Sequence, residues 1–450
     1  PGMFPITITK VLSEGISRYI DYIIEGAYDS YPQNLQTAVV IKDGHIMDER
    51  ITTFRMARNE FCKSAFAVRT IKQTFRFWRR LLRWVREYPV SSFGKRCHIL
   101  CDFLRLRRTK GIIRDEYYQF EFEQRSEEFR RNFLGENEQR FYLDLLNPVK
   151  YYTLSRNKYL THKILSDTGV RKSELYCYYQ PEGRIYDSDE IASNVADVCR
   201  ILGQKGVSQC VIKATENSHG EGVVVVREVE YLEDDCRMHY FNGDSALLSE
   251  ILTIHPLIFE GLIKQTEQFA GFNSSSVNTV RFMTTLYPSG DVKIVAAFIK
   301  IGREGSCVDN AGAGGNVDVC VDVESGRTQY AIRYDGWRNI HEIDIHPDSG
   351  APLNGVVIAN WEQIKSEVVK FQQAMPWCKA AGWDVAITDE GPLVIECNDF
   401  WDRTGQYFIR RGWRREIRDC YKAWKKTGRT YRFSPFYQDR PPYNENWLKD

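Results

Sequence analysis

The sequence of 450 residues contains no run of 18 apolar residues, so it predicts no helix that spans a lipid bilayer. Its twelve cysteines are scattered and never form two closely spaced pairs, which argues against a common class of zinc site and favours a reducing compartment. The Gly-x4-Gly-Lys-Ser/Thr pattern of a P-loop is absent as well. We therefore expect a cytoplasmic protein of two or three globular domains.

Positive charge is concentrated near the N-terminus, although the net charge is only +1. The segment from Phe66 to Arg114 contains fourteen Lys or Arg residues, opposed only by Glu87 and Asp102. Within it, four apolar side chains follow helical spacing, with arginines one step around the helix. These apolar residues are Phe75, Trp78, Leu82 and Val85. The pattern predicts a basic amphipathic helix that either packs on a core or contacts an anionic glycan or membrane surface.

The pattern of apolar residues divides the chain into three parts. Residues 1–148 are predicted to be mostly helical and Arg-rich, with a short hairpin between 37 and 53. Residues 149–425 alternate short Val/Ile-rich strands with helical segments, which indicates an α+β domain. Residues 426–450 are predicted to form an irregular aromatic tail.

A predicted β-hairpin over residues 382–398 carries three oxygen ligands. With a three-residue loop at 389–391, Asp384 faces Glu396 across the two strands. Asn398 lies two residues beyond Glu396 and therefore on the same face. Such a set suits Mg²⁺, which usually binds together with a phosphate, although a solvated hairpin face would show similar residues.

Two lysines have positions suited to phosphate binding. Lys213 ends a predicted strand and is followed by a loop with small residues, whose members are Ser218, His219, Gly220 and Gly222. Such a loop allows backbone N–H groups to fold over phosphates. Lys158 begins a predicted amphipathic helix. Either lysine alone is equally compatible with a solvated surface position.

Three further segments complete the candidate set. An apolar segment with Glu250, Ile251 and Leu252 is predicted to be a strand that joins two lobes and pairs with the edge of adenine. Arg281 begins another strand, where its guanidinium suits a phosphoryl or carboxylate group or a structural ion pair. Lys300 ends a strand that leads into a Gly-rich loop containing Asn310.

The order of these features resembles the ATP-grasp superfamily between residues 150 and 405. The sequence Ser-Val-Asn-Thr-Val-Arg at 276–281, Gly-Trp-Asp at 382–384 and Glu-x-Asn at 396–398 resembles the sugar-transfer-associated ATP-grasp group. The Gly-rich loop is also similar to that of ribosomal-protein glutamate ligases. The resemblance implies an α+β ATP-grasp fold over 149–425, with a lid lobe near 170–250 and a C-terminal lobe near 251–425.

The resemblance also implies roles for the candidate residues. Lys158 and Lys213 would hold the α- and β-phosphates of ATP, the loop from Ser218 to Gly222 would form the lid, and Glu250 with its neighbours would bind adenine. Arg281 and Lys300, with Asn310, would stabilise the γ-phosphoryl group and an acyl phosphate. Asp384, Glu396 and Asn398 would hold two Mg²⁺ ions, or Mn²⁺ in their place.

The expected activity is that of an ATP-dependent carboxylate–amine ligase that forms ADP. A plausible product joins an amino acid to a sugar uronate in polysaccharide or natural-product biosynthesis, with a nucleotide sugar or lipid-linked glycan as substrate. A basic N-terminal domain would suit such anionic partners, including a membrane surface.

Three alternatives remain open at this point. A kinase of the same fold would need a general base, for which Asp309 or His219 is available. A module that binds nucleotide without turnover is disfavoured by the complete set of metal ligands. A nucleic-acid partner is not expected, because no recognition module accompanies the basic segment.

Overall fold

The protein forms two compact units, residues 1–96 and 97–450. The computed structural model describes the following residues: 41–42, 45–46, 74–182, 190–216, 222–305, 316–334 and 340–429. In the first unit, strands β1 (Ile41–Lys42) and β2 (His45–Ile46) form the hairpin predicted for this region. Helix α1 covers residues 74–87. The helix expected near the N-terminus lies outside the described residues.

The helices that follow fall before, between and after the strands of the second unit. Numbered in chain order, α2 to α7 are Phe93–Lys110, Arg114–Gln119, Glu127–Asn132, Glu136–Leu146, Tyr152–Arg156 and Lys158–Ser166. Helices α8 to α13 are Val195–Gln204, Leu248–Ile251, Glu267–Phe272, Trp361–Ala374, Gly405–Phe408 and Arg414–Lys426. Helical structure before residue 149 was predicted and is confirmed for residues 74–146. None of the helices in the described ranges is long and apolar enough to cross a membrane.

The strands of the second unit form two seven-stranded sheets. One sheet has the order β4-β3-β9-β5-β6-β7-β8. Its strands β3 to β9 are Leu175–Tyr179, Ile191–Ala192, Cys210–Ala214, Val224–Tyr231, Cys236–Tyr240, Ser245–Leu247 and Leu257–Glu260. All neighbours in it are antiparallel except β3 and β4.

The other sheet is antiparallel throughout and has the order β14-β13-β12-β11-β10-β15-β16. Strands β10 to β16 are Thr279–Leu286, Val292–Ile301, Val317–Val321, Thr328–Tyr334, Ile340–Ile343, Ala380–Thr388 and Gly391–Asn398. Four of the Val/Ile-rich segments predicted to be strands, at 210–213, 222–226, 279–283 and 292–297, correspond to β5, β6, β10 and β11. Together the sheets and helices give the predicted α+β architecture.

One face of the second sheet is covered by α11. This helix buries Trp361, Ile364, Val368 and Phe371, which recur every three or four residues and so form one stripe. The stripe packs on inward-facing residues of the strands, and Trp361 stacks on Phe282 of β10 with ring centroids 5.4 Å apart. This face is mostly apolar, and its buried polar groups satisfy one another, as where Thr284 of β10 donates a 2.6 Å hydrogen bond to Gln372 of α11.

The opposite face of the same sheet is only partly covered. Helices α5 and α13 pack over one part of it, where buried Trp401 and Trp413 meet edge to face. Gln139 of α5 donates a 2.5 Å hydrogen bond to the carbonyl of Trp401. On the same face, Arg281, Lys300 and Asp384 replace the apolar residues. Helix α5, which precedes residue 149, therefore contributes directly to the core beside the candidate site.

Candidate active site

The register of four neighbouring strands brings the predicted cationic and acidic residues into one row. Arg281 of β10 lies opposite Asp384 of β15, which in turn lies opposite Glu396 of β16. Lys300 lies on β11, on the other side of β10. Directly opposed residues of antiparallel strands share a face, so these side chains point to the same side of the sheet.

The pairing of Asp384 with Glu396 was predicted, but the geometry that produces it differs from the prediction. Strand β15 ends at Thr388 and β16 begins at Gly391, so the loop has two residues instead of three. That loop alone would shift the register by one residue. An extra residue, Ile395, forms a bulge in β16 and restores the pairing.

Asp384 is held by two cations. The guanidinium of Arg281 donates to both carboxylate oxygens, with a distance of 2.6 Å between Nη2 and Oδ2. Lys300 Nζ lies 3.3 Å from the same Oδ2. Burial of Asp384 would raise its pKa, but the charges of Arg281 and Lys300 outweigh burial and hold the pKa at about 2. Asp384 is therefore ionised and already compensated.

Glu396 is in the opposite situation. Its burial raises its pKa, and the neighbouring charge of Asp384 adds to the effect. Arg281 and Lys158 lower the pKa of Glu396 only in part. Because nearby cations compensate the negative charge of Glu396 only in part, an additional cation would stabilise its ionised form more than that of Asp384.

Lys158 and Lys213 come together although 55 positions separate them in the sequence. The backbone N–H of Lys158 donates to the carbonyl of Thr215, at 2.9 Å, just after the strand that carries Lys213. Asn157 caps α7 by accepting from the N–H of Leu160, which fixes Lys158 at the first position of the helix.

The two lysines line one pocket that also reaches the hairpin. Its lining includes Lys158, Lys213, Lys172, Glu260 and Glu396. Burial lowers the pKa of Lys158, and the nearby Lys213 contributes in the same direction. Three lysines around one small pocket favour an anionic ligand.

Glu260 is a site residue that sequence reasoning missed. Lys213 Nζ donates to its carboxylate at 2.8 Å, and only 6% of Glu260 is exposed. Burial would raise the pKa of Glu260, but the charge and hydrogen bond of Lys213 lower it below its usual range. The sequence feature that could have identified Glu260 is the run Leu-Ile-Phe-Glu at 257–260, which has the apolar, β-rich composition of a buried strand.

The strand predicted around Glu250 is wrong. Residues Leu248–Ile251 form the short helix α9, which follows the edge strand β8. Glu250 is exposed, and its carboxylate accepts from the N–H of Leu247 at 2.9 Å. This capping interaction favours a helix start over a strand, because it satisfies a backbone donor that helix formation leaves unpaired. Ile251 and Leu252 consequently lie beside a helix end and not in a strand.

Asn398 and Glu396 lie on the same face as Asp384 and are the other two predicted metal ligands. Among the described residues, Nδ2 of Asn398 is buried and has no hydrogen-bond partner. Two carboxylates and an amide on one face fit the oxygen preference of Mg²⁺. The described part of the chain holds no group of three or more His, Cys, Asp and Glu that could bind a metal. A metal ion at this position would therefore also need the amide oxygen of Asn398 and oxygens of a bound phosphate as ligands.

Several predicted residues lie outside the described residues. They are Ser218, His219 and Gly220 of the lid, Asn310 of the Gly-rich loop, and Asp309. Gly222 is described and has a φ of +71°, a conformation that favours glycine at the entry to β6.

A second missed interaction involves Arg156 and Asp399, on either side of the site. Arg156 donates to both carboxylate oxygens of Asp399, with 2.8 Å between Nη2 and Oδ1, and Ser155 donates at 2.6 Å. Asp399 directly follows Asn398, and Arg156 lies two residues before Lys158. The pair thus connects the end of strand β16, which carries Glu396 and Asn398, to the start of the helix that carries Lys158.

Comparison with known proteins gives a family match over most of the chain. The family described as sugar-transfer associated ATP-grasp matches residues 137–418. No curated protein sequence matches.

Solved structures give weaker similarities. Biotin carboxylase from Campylobacter jejuni has 9% identity and a TM-score of 0.36, with 64% of this chain and 49% of that chain covered. N5-carboxyaminoimidazole ribonucleotide synthetase from Thermotoga maritima has 11% identity and a TM-score of 0.34, with coverages of 62% and 52%. D-alanine–D-alanine ligase from Bacillus anthracis has 11% identity and a TM-score of 0.32, with coverages of 61% and 68%. The chain spans about half the length of the first two proteins.

Proposed function

Because this chain belongs to the sugar-transfer-associated ATP-grasp family, we propose that it is an ATP-dependent ligase that joins a carboxylate to an amine. The observation that carries the proposal is the pocket in which Lys158, Lys213 and Glu396 meet, beside the row formed by Arg281, Asp384 and Lys300. Cations for phosphates and oxygen ligands for their metal thus occur together.

In this proposal, Lys158 and Lys213 bind the α- and β-phosphates. The strand β9 and the connection that follows it, at residues 261–265, replace the Glu250 segment as the place where adenine binds. Support comes from topology, since β9 pairs with the strand of Lys213 and the chain then leaves this sheet for the other. Residues Ser218 to Gly222 remain the proposed lid.

Glu396 and Asn398 are the proposed principal metal ligands, and Asp384 shares its oxygens between the metal and the two cations. Bound Mg²⁺ would neutralise phosphate charge during transfer of the phosphoryl group. Glu396 is suited to this role because nearby cations compensate its negative charge less than they compensate that of Asp384.

Arg281 and Lys300 are proposed to stabilise the charge that develops on the γ-phosphoryl group and on the acyl phosphate. Their ion pairs with Asp384 orient both cations before the substrate arrives, so little reorganisation is needed during reaction. Asn310 is proposed to assist from the Gly-rich loop. The chemistry requires positioning and charge stabilisation but no protein nucleophile.

The proposed substrates are an amino acid and a sugar uronate or related acid. Hydroxylamine trapping tests the reaction class, because an acyl phosphate reacts with hydroxylamine to give a hydroxamate. We expect hydroxamate only when Mg-ATP and one carboxylate are both present, and none with Glu396→Gln. The ligase proposal would be contradicted if the protein consumed ATP without forming a hydroxamate with any carboxylate, and if this ATP consumption depended on sugars with free hydroxyl groups.

A further inference from the structure

Helix α1, described over residues 74–87, has an apolar stripe that is exposed to solvent. Phe75, Trp78 and Leu82 are 67%, 42% and 56% exposed. Their spacing of three and four residues places them within about 60° of one another on a helix. Exposed apolar residues that align in this way mark a contact surface, unlike single exposed apolar residues, which are ordinary.

The same helix has a separate buried face. Leu81 is fully buried and Val85 is 8% exposed. On a helical projection these two residues lie next to the exposed stripe but do not overlap it. Leu81 and Val85 are thus removed from water on a face of α1 that is separate from the exposed stripe.

Arginines flank the other side of the stripe. Arg79 and Arg86 follow it directly around the helix, and Arg83 lies one step further. All the arginines of the helix are exposed, namely Arg76, Arg79, Arg80, Arg83 and Arg86. Glu87 is the single carboxylate in the helix. The exposed surface therefore combines a narrow apolar stripe with a broad cationic face.

We propose that α1 docks on an anionic lipid bilayer, lying parallel to its surface. Phe75, Trp78 and Leu82 enter the boundary between headgroups and acyl chains, while Arg79, Arg83 and Arg86 contact lipid phosphates. Charge complementarity selects an anionic surface, and the apolar stripe selects one that offers hydrocarbon. The described turns of α1 combine one apolar stripe with exposed arginines, which is the arrangement of a helix that lies in the plane of a membrane surface.

A soluble anionic polysaccharide would explain the arginines but not the stripe. A sugar chain can stack on Trp78, yet it gains little from the aliphatic Leu82 or from three apolar side chains in line. Insertion of all three into the headgroup boundary removes them from water together. An anionic lipid bilayer therefore explains both the apolar stripe and the cationic face.

Cosedimentation of the full chain with vesicles tests the proposal. Vesicles containing about one third phosphatidylglycerol in phosphatidylcholine should bind the protein, and pure phosphatidylcholine should bind it much less. Arg79→Gln combined with Arg83→Gln and Arg86→Gln should weaken binding about 100-fold, since each basic residue near the surface strengthens it roughly fivefold. Phe75→Gln combined with Leu82→Gln should weaken it at least about tenfold.

Matched controls come from exposed residues elsewhere. Phe241→Gln removes another exposed aromatic residue, and the triple change Lys422→Gln, Lys426→Gln and Arg429→Gln removes the same charge. Both control variants should bind vesicles as the unmodified protein does. Circular dichroism checks that every variant is folded.

Three results would overturn the proposal. One is equal binding to neutral and anionic vesicles, and another is equal losses in the control and α1 variants. The third result has two parts: the protein binds an anionic polysaccharide through the arginines, and Phe75→Gln with Leu82→Gln changes binding to neither polysaccharide nor vesicles. The apolar stripe would then have no role.

Discussion

Arg281 and Asp384 lie opposite each other on adjacent strands, and the guanidinium donates to both oxygens of the buried carboxylate. This ion pair links a proposed phosphoryl-binding cation to a proposed metal ligand. It keeps Asp384 ionised and leaves Glu396 as the carboxylate with the greater need for a cation.

Removal of one partner of the Arg281–Asp384 ion pair should destabilise the protein strongly. Arg281→Met leaves Asp384 buried with only Lys300, so we expect the free energy of unfolding to fall by about 3 kcal/mol. The triple variant Arg281→Met/Lys300→Met/Asp384→Leu removes the carboxylate together with both cations that pair with it, so it should regain most of that loss, yet remain inactive. Urea unfolding measures both effects, and equal stability of the two variants would contradict a strong buried pair.

Acid should weaken the contribution of Asp384. Its pKa is about 2 in the folded protein against 3.8 ordinarily, so its ionised form stabilises the fold above about pH 4. That contribution, about 2 kcal/mol, is lost as the pH falls from 4 towards 2. The stability difference between the wild type and Asp384→Asn, measured by urea unfolding from pH 6 to pH 3, should therefore shrink at the acid end. A constant difference would refute the assigned pKa.

Glu396→Gln should abolish turnover while the fold persists. The change preserves shape but removes the negative charge that we assign to metal binding. Glu390→Gln is the matched control, because Glu390 lies in the loop of the same hairpin and its side chain is 84% exposed. ADP release at increasing Mg²⁺ should show at least about 100-fold loss for the first variant, and no loss for the second. Equal activities would remove the metal assignment.

Arg156→Lys should impair ATP binding without unfolding the protein. Lysine keeps the charge but cannot donate two parallel hydrogen bonds to Asp399. Because this pair positions the strand end after Asn398, we expect KM for ATP to rise roughly tenfold, as when supporting residues of metal sites are changed. Arg200→Lys, on the surface of α8, should leave KM unchanged. A fall in kcat alone, with KM unaffected, would argue against a positioning role.

Much of the fold could be predicted from the sequence, because the apolar runs of β5, β6, β10 and β11 are strong local signals. The helical character of residues 74–146 was also evident. The bulge at Ile395 could not be foreseen, since it depends on how β16 pairs with β15 and not on any local residue preference. The pairing of Asp384 with Glu396 was thus correct although the predicted loop was not.

The site was less predictable where it depends on long-range contacts. Glu250 was assigned to a strand because its apolar neighbours suit one, but a local capping interaction favours the helix instead. Glu260 and the Arg156–Asp399 pair depend on partners 47 and 243 positions away. Spacing within the sequence gives no signal for such contacts.

Phosphorus NMR of the reaction products, combined with mass spectrometry, distinguishes an amide-forming ligase from a kinase. The protein would be incubated with Mg-ATP, amino acids and nucleotide sugars that contain a uronate. Our account predicts ADP and free phosphate in equal amounts, together with a condensed amide in the mass spectrum. ADP with a new phosphate ester and no free phosphate would contradict it and assign the protein as a kinase.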